Sequence, residues 1–197
     1  MLVAILFCFG YCLHNIIAHI ANHVTDLGFS ATVAAGISSV IGGSSIAGRI
    51  AAGSITDRVG SRSPLIINLI LMSGALFLLL AAGELWMFYL FAVILGFAYG
   101  GLAAIESPLV AELFGLSSHG VIMGVASFGY TVGGAVGPVV AGRIFDIFNS
   151  YQIAFLVCAV VCVLGIILAC RLRPPASAGG EGDPTRSAGL YQGQYLE

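Results

Sequence analysis

Lysine is missing altogether from these 197 residues, and arginine supplies every fixed positive charge. Only 8% of the chain is charged, where a water-soluble domain carries roughly a quarter. A soluble globule is thereby excluded. The formal net charge of -2 says little about partners when so few charges reach solvent, and no nucleic-acid partner is expected. Without lysine there is no Gly-x-x-x-x-Gly-Lys phosphate loop, so ATP-driven transport lacks its engine. No Gly-x-Ser-Gly nucleophile motif accompanies the histidines, which argues against an intramembrane protease, and no enzyme activity is expected. Cys8, Cys12, Cys158, Cys162 and Cys170 all fall in apolar runs and form no Cys-x-x-Cys pair. Neither a disulfide framework nor a metal centre is expected from them, and no cofactor is implied. The first apolar run has neither a basic leader nor a small-residue cleavage site, so it reads as a membrane helix rather than a signal peptide.

What the chain has instead is hydrocarbon: 59% hydrophobic residues and a mean hydropathy of +1.05. Runs free of Asp, Glu and Arg cover residues 1–25, 28–48, 63–83, 85–105, 113–142 and 147–170. Each reaches the roughly 20 residues that a spanning helix needs. The fold class expected is an all-α membrane protein with helices at about 2–22, 31–54, 64–82, 85–110, 120–142 and 151–170. Ser30 is placed to cap the second helix and Pro64 to open the third. Together they form a bundle over residues 1–173. Residues 174–197, rich in Gly, Ser, Ala and Pro, read as a disordered cytoplasmic tail. Arg58, Arg62, Arg171 and Arg173 lie on the side of the termini and Arg143 alone on the other. The positive-inside rule therefore puts both termini in the cytoplasm of a cell with this multi-pass protein in its membrane. Two sets of three helices with opposite topology suggest inverted repeats. Trp86, Phe88 and Tyr89 read as interface anchors.

Most of the few charges gather in residues 48–62. There Gly53-Ser-Ile-Thr-Asp57-Arg58-Val-Gly60-Ser-Arg62 closely resembles the signature loop of the major facilitator superfamily, Gly-x-x-x-Asp-Arg-x-Gly-x-Arg. Two glycines allow a tight turn, Asp57 suits a neighbouring helix N-terminus, and the arginines suit the headgroup level. In that superfamily the loop joins the second and third helices of each six-helix half, which is its place here. Gly124, Gly133, Gly137-Pro138 and Gly142 resemble the fifth-helix pattern of proton-coupled drug antiporters, a pattern also seen in related anion carriers. Ala-Glu112-Leu-Phe-Gly-Leu-Ser-Ser-His119-Gly120 is similar to the cytoplasmic connection before the fifth helix, with His119 where the family usually has Arg. That suggests a pH-dependent contact between Glu112 and the hairpin. With Thr25-Asp-Leu-Gly-Phe-Ser and Gly137-Pro-Val-Val-Ala-Gly-Arg-Ile-Phe-Asp146, these segments look like the C-terminal half of a carrier in the oxalate/formate antiporter and monocarboxylate transporter group.

The resemblance implies secondary transport of a small organic anion by alternating access, within a twelve-helix carrier. The runner-up is a proton-coupled drug exporter. The missing partner is an N-terminal six-helix half or a second half-size chain. Met1 beginning almost inside the first helix reads as a truncation, a misassigned start or a true half-transporter. Arg49 lies eight residues before Asp57, roughly 12 Å along the helix and inside the hydrocarbon. The resemblance implies that it binds a substrate carboxylate; the alternatives are snorkelling to the surface or pairing with Glu106. The oxalate carriers add a second cation in a later helix, and residues 120–142 hold none, so a monocarboxylate is favoured over a dicarboxylate. Asn15, His19, Asn22 and His23 form a polar stripe with His14 beside it. It faces either a cavity, with His14, Asn15 and His19 binding substrate and His19 a proton, or a neighbouring helix. Glu106 is a second proton candidate, alternatively a partner of Arg49. Asn68, Tyr99 and Tyr130 are lesser cavity candidates.

Overall fold

A computed structural model describes residues 1–172 and contains six helices: α1 Leu2–Asp26, α2 Ala31–Val59, α3 Arg62–Ala81, α4 Leu85–Phe114, α5 His119–Phe148 and α6 Gln152–Arg171. All six are long and apolar enough to cross a membrane. The proposed tail, residues 174–197, lies outside the described residues.

Four helices run past the ends that the charge pattern suggests. α1 continues to Asp26, α2 to Val59, α4 to Phe114 and α5 to Phe148. A charged residue ends an apolar run but not a helix, so the extra turns carry the backbone beyond the hydrocarbon with its hydrogen bonds still paired. The true stops are local. Ser30 Oγ accepts the Val33 N–H at 3.3 Å and caps α2. At the other end of α2, Gly60 takes φ +80° and its N–H returns to the Thr56 carbonyl at 2.9 Å. The charged hairpin is consequently only Gly60 and Ser61 long. Gly53, read as a turn glycine, is inside α2. Pro64 occupies the first turn of α3, where a missing N–H costs little.

Two helix pairs dominate the packing, α1 with α5 and α2 with α4. Both pairs run parallel. On α5, Gly129, Gly133 and Gly137 meet Val3, Phe7 and Tyr11 of α1 in step. A Cβ on Gly133 would strike the Phe7 carbonyl, and one on Gly137 the Tyr11 carbonyl. On α4, Gly96 and Gly100 approach Ile41 and Ser45 of α2 with the same spacing. Exchanging α1–α3 with α4–α6 turns the first contact into the second, as two inverted three-helix repeats require. Without a hydrophobic drive between helices in lipid, such close approach is what holds them together.

Phe88, Phe91 and Phe155 are fully buried at the centre of the core. Phe88 is therefore no interface anchor: its ring faces His23 and Phe29 inside the bundle, while Trp86 is exposed and donates its indole N–H to Glu84 at 3.0 Å. Coverage is uneven. Only 28% of the most apolar stretch of α2 and 22% of that of α5 are buried, against 39–56% for the other four. The pseudo-equivalent helices α2 and α5 thus leave one broad face of the bundle open.

Candidate functional site

Arg49 is on that open face. Its guanidinium lies 5.9 Å from the centre of the Tyr99 ring of α4. The pairing of Arg49 with Glu106 is not formed: the Glu106 carboxylate accepts instead from Ser127 Oγ of α5 at 3.2 Å. From Tyr99 a row of rings crosses the bundle. Phe9 of α1 is 6.5 Å from Tyr99 and 5.3 Å from Tyr130 of α5, and Tyr130 meets the His14 ring edge-on at 5.2 Å. Four helices thereby supply one continuous aromatic layer with a cation at one end and an imidazole at the other.

The polar stripe of α1 divides. Asn15 is fully buried and donates through Nδ2 to the Gly137 carbonyl at 3.3 Å. His19 Nε2 donates to the Pro138 carbonyl at 3.1 Å. Both side chains tie α1 to the proline turn of α5, at the level where glycines bring the backbones together. His14 Nδ1 bonds the Gly10 carbonyl of its own helix at 3.1 Å, leaving the ring half-buried against Tyr130. Asn22 is exposed, and His23 is enclosed by Phe88, Tyr151 and Phe155. Asn68 is buried between α3 and α4, bonded to the Pro64 carbonyl at 2.8 Å. Of the expected site residues, Arg49, Tyr99, Tyr130, His14 and Glu106 border the open face; Asn15, His19 and Asn68 are engaged in packing.

The hairpin end is clasped by Glu112. Its carboxylate accepts from the Ser61 N–H at 3.0 and 3.1 Å and from Ser61 Oγ at 2.9 Å. A negative charge is thus set at the start of α3, where the helix dipole favours it. Arg62 donates through Nη2 to the Cys170 carbonyl at 2.7 Å, filling an open acceptor in the last turn of α6. Asp57 and Arg58 are exposed on the last turn of α2. His119 shares a hydrogen bond with Ser107 at 3.3 Å and does not reach Glu112. Ser61, Ser127 and Phe9 carry no motif that would have singled them out; only the fold brings them to Glu112, Glu106 and Tyr99.

Above Tyr99 is a cavity of about 160 Å³, walled by Ile17, Ile20, Ser38, Ile41, Gly42 and Tyr99. Among the described residues no cluster of three or more His, Cys, Asp or Glu side chains suits a metal ion.

The family model described as Major Facilitator Superfamily matches residues 1–191. The chain is 30% identical to human "Monocarboxylate transporter 7" over 76% of this chain and 29% of that protein. It is 28% identical to "Agnestins efflux protein AgnL12" of Paecilomyces divaricatus, over 79% of this chain and 36% of the relative. Among solved structures, "Crystal structure of a POT family transporter in complex with 5-aminolevulinic acid" superposes with a TM-score of 0.78 at 19% identity, covering 98% of this chain and 43% of that one. The chain spans about a third of the length of the curated relatives it matches.

Proposed function

Since the chain belongs to the Major Facilitator Superfamily, we propose that it works as one six-helix unit of a secondary transporter carrying a small monocarboxylate by alternating access. A second six-helix unit, from the same polypeptide or another, covers the open face of α2 and α5. The hairpin end and both termini face the cytoplasm.

One observation carries this reading: the Arg49 guanidinium stands on the open face, in a helix apolar enough to cross a membrane, over an aromatic ring and, among the described residues, not against a carboxylate. A cation at that depth is costly unless it meets a counter-charge. A substrate carboxylate supplies one, and the planar guanidinium fork matches it with two parallel hydrogen bonds. α5 offers no second cation between residues 120 and 142, which favours one carboxylate over two. The similarity to the human monocarboxylate transporter agrees with this choice.

Glu106 is the proton carrier in this scheme. It is half-buried on α4 near the open face and held by one neutral hydrogen bond to Ser127, so it is free to exchange a proton as the two units rock. Asn15 and His19 position α5 rather than touch substrate, while His14 lines the path. A second reading, export of a larger organic molecule, draws on the similarity to AgnL12 and on the glycine and proline pattern of α5.

A substrate screen with the intact carrier separates the two. Uptake of labelled lactate or formate that is lost in Arg49→Ala, with membrane insertion unchanged, supports the monocarboxylate reading. Export of a cationic dye that ignores the same substitution supports the other and removes Arg49 from the substrate site.

A further inference from the structure

Tyr99, which has the Arg49 guanidinium over its ring, also walls the cavity, and the other walls of that cavity are nearly all hydrocarbon. Ile17 and Ile20 come from α1, and Ile41 and Gly42 from α2. The one hydroxyl on the α2 wall, Ser38 Oγ, is turned back to the Ala34 carbonyl at 3.1 Å and so is already donating. The Tyr99 hydroxyl is the remaining polar group. Gly42 stands seven residues before Arg49 on α2, roughly 10 Å along the helix axis. α1 runs antiparallel to α2, so Ile17 and Ile20 are displaced from Phe9 toward the same end. A molecule lying on Tyr99 therefore has a cation on one side and an apolar recess on the other.

We propose that this recess receives the hydrocarbon tail of the monocarboxylate and that Gly42 sets the longest tail admitted. The inference rests on the reading of Arg49 as the carboxylate site. The recess holds about 160 Å³ and is open on the side where Ile17, Ser38 and Gly42 are exposed, so its own walls accommodate a small apolar group. The chemical class is thus a short aliphatic monocarboxylate. Charged tails are disfavoured, because Ile17, Ile20 and Ile41 offer a charge no partner. Gly42 matters because a Cβ there meets no atom within 4 Å. The position is open space held clear by the absence of a side chain, and filling it narrows the recess without disturbing the packing of α2 on α4.

The test is competition by straight-chain acids, acetate through octanoate, against uptake of labelled butyrate by the intact carrier at fixed pH. In the wild type, inhibition should strengthen about fourfold per added methylene until the recess is full, then level off. Gly42→Val should bring that limit two to three carbons shorter with acetate unaffected, and Ile17→Ala, at an exposed position, should move it longer by a similar amount. A chain-length profile unchanged in both variants overturns the proposal for Gly42. If Gly42→Val weakens every acid alike, through a gating or folding defect, Ile17→Ala alone decides, and an unmoved limit there overturns the proposal. Arg49→Gln runs in parallel: uptake lost in that variant together with unmoved limits sinks the tail recess alone. Uptake intact in Arg49→Gln sinks the carboxylate site on which it rests.

Discussion

The carboxylate of Glu112 holds both the backbone N–H and the hydroxyl of Ser61, at 3.0 and 2.9 Å, and so fastens the end of α4 to the turn between α2 and α3. Ser61 is fully buried, so its donors have no water to fall back on. Glu112→Ala should destabilise the bundle by about 1 kcal/mol, the low end of the cost of stranding a buried donor, because solvent reaches Glu112 itself. For a bundle of this size that is a fall of about 2–4 °C in the thermal midpoint in detergent. A double-mutant cycle with Ser61→Ala assigns the loss: the combined effect should be well below the sum of the singles.

Close approach of α1 and α5 sets a second expectation. Gly137→Val drives a side chain into the Tyr11 carbonyl, a backbone atom that cannot step aside. Gly124→Ala on the same helix meets nothing within 4 Å. The first should abolish the monodisperse peak in size-exclusion chromatography, and the second should leave it unchanged or strengthen it slightly through better helix propensity.

His19 separates a structural from a protonic role. Its Nε2 donates to the Pro138 carbonyl, and a glutamine amide can reproduce that bond. His19→Gln should keep both the thermal midpoint and uptake, while His19→Leu should lose about 1 kcal/mol of stability, a typical value for a hydrogen bond between membrane helices. Loss of proton-driven uptake in His19→Gln with stability intact would return the residue to the coupling machinery.

Glu106 carries the expected pH dependence. If this carboxyl takes up the coupled proton, uptake in the wild type rises as the outside is acidified, and Glu106→Gln removes the rise. Counterflow exchange, which needs no net proton movement, should survive in that variant. Uptake in Glu106→Gln that still follows the pH gradient would assign coupling elsewhere.

Much of this architecture is legible in the residues. The six apolar runs report the helices because lipid demands length and hydrocarbon, and the motif from Gly53 to Arg62 marks the α2–α3 turn because so tight a reversal needs Gly60. Helix ends were less legible: Asp57, Arg58 and Glu112 look like loop residues from charge alone, yet each sits in a last helical turn. The stripe from Asn15 to His23 shows that polar groups share a face, not what that face meets. Asn15 and His19 each give one hydrogen bond to a carbonyl of α5, a partner more than a hundred residues away that no local pattern reveals. Phe88 reads as an interface anchor from its position near a helix end, although its ring is buried against His23 and Phe29.

The most direct measurement is equilibrium binding of a labelled monocarboxylate to the intact carrier, wild type against Arg49→Gln, with both proteins matched for thermal midpoint. A charge-assisted pair at Arg49 is worth about 1.5–3 kcal/mol, so the dissociation constant in Arg49→Gln should rise about 10- to 100-fold. Equal affinity in the two proteins would contradict the assignment of Arg49 to the substrate.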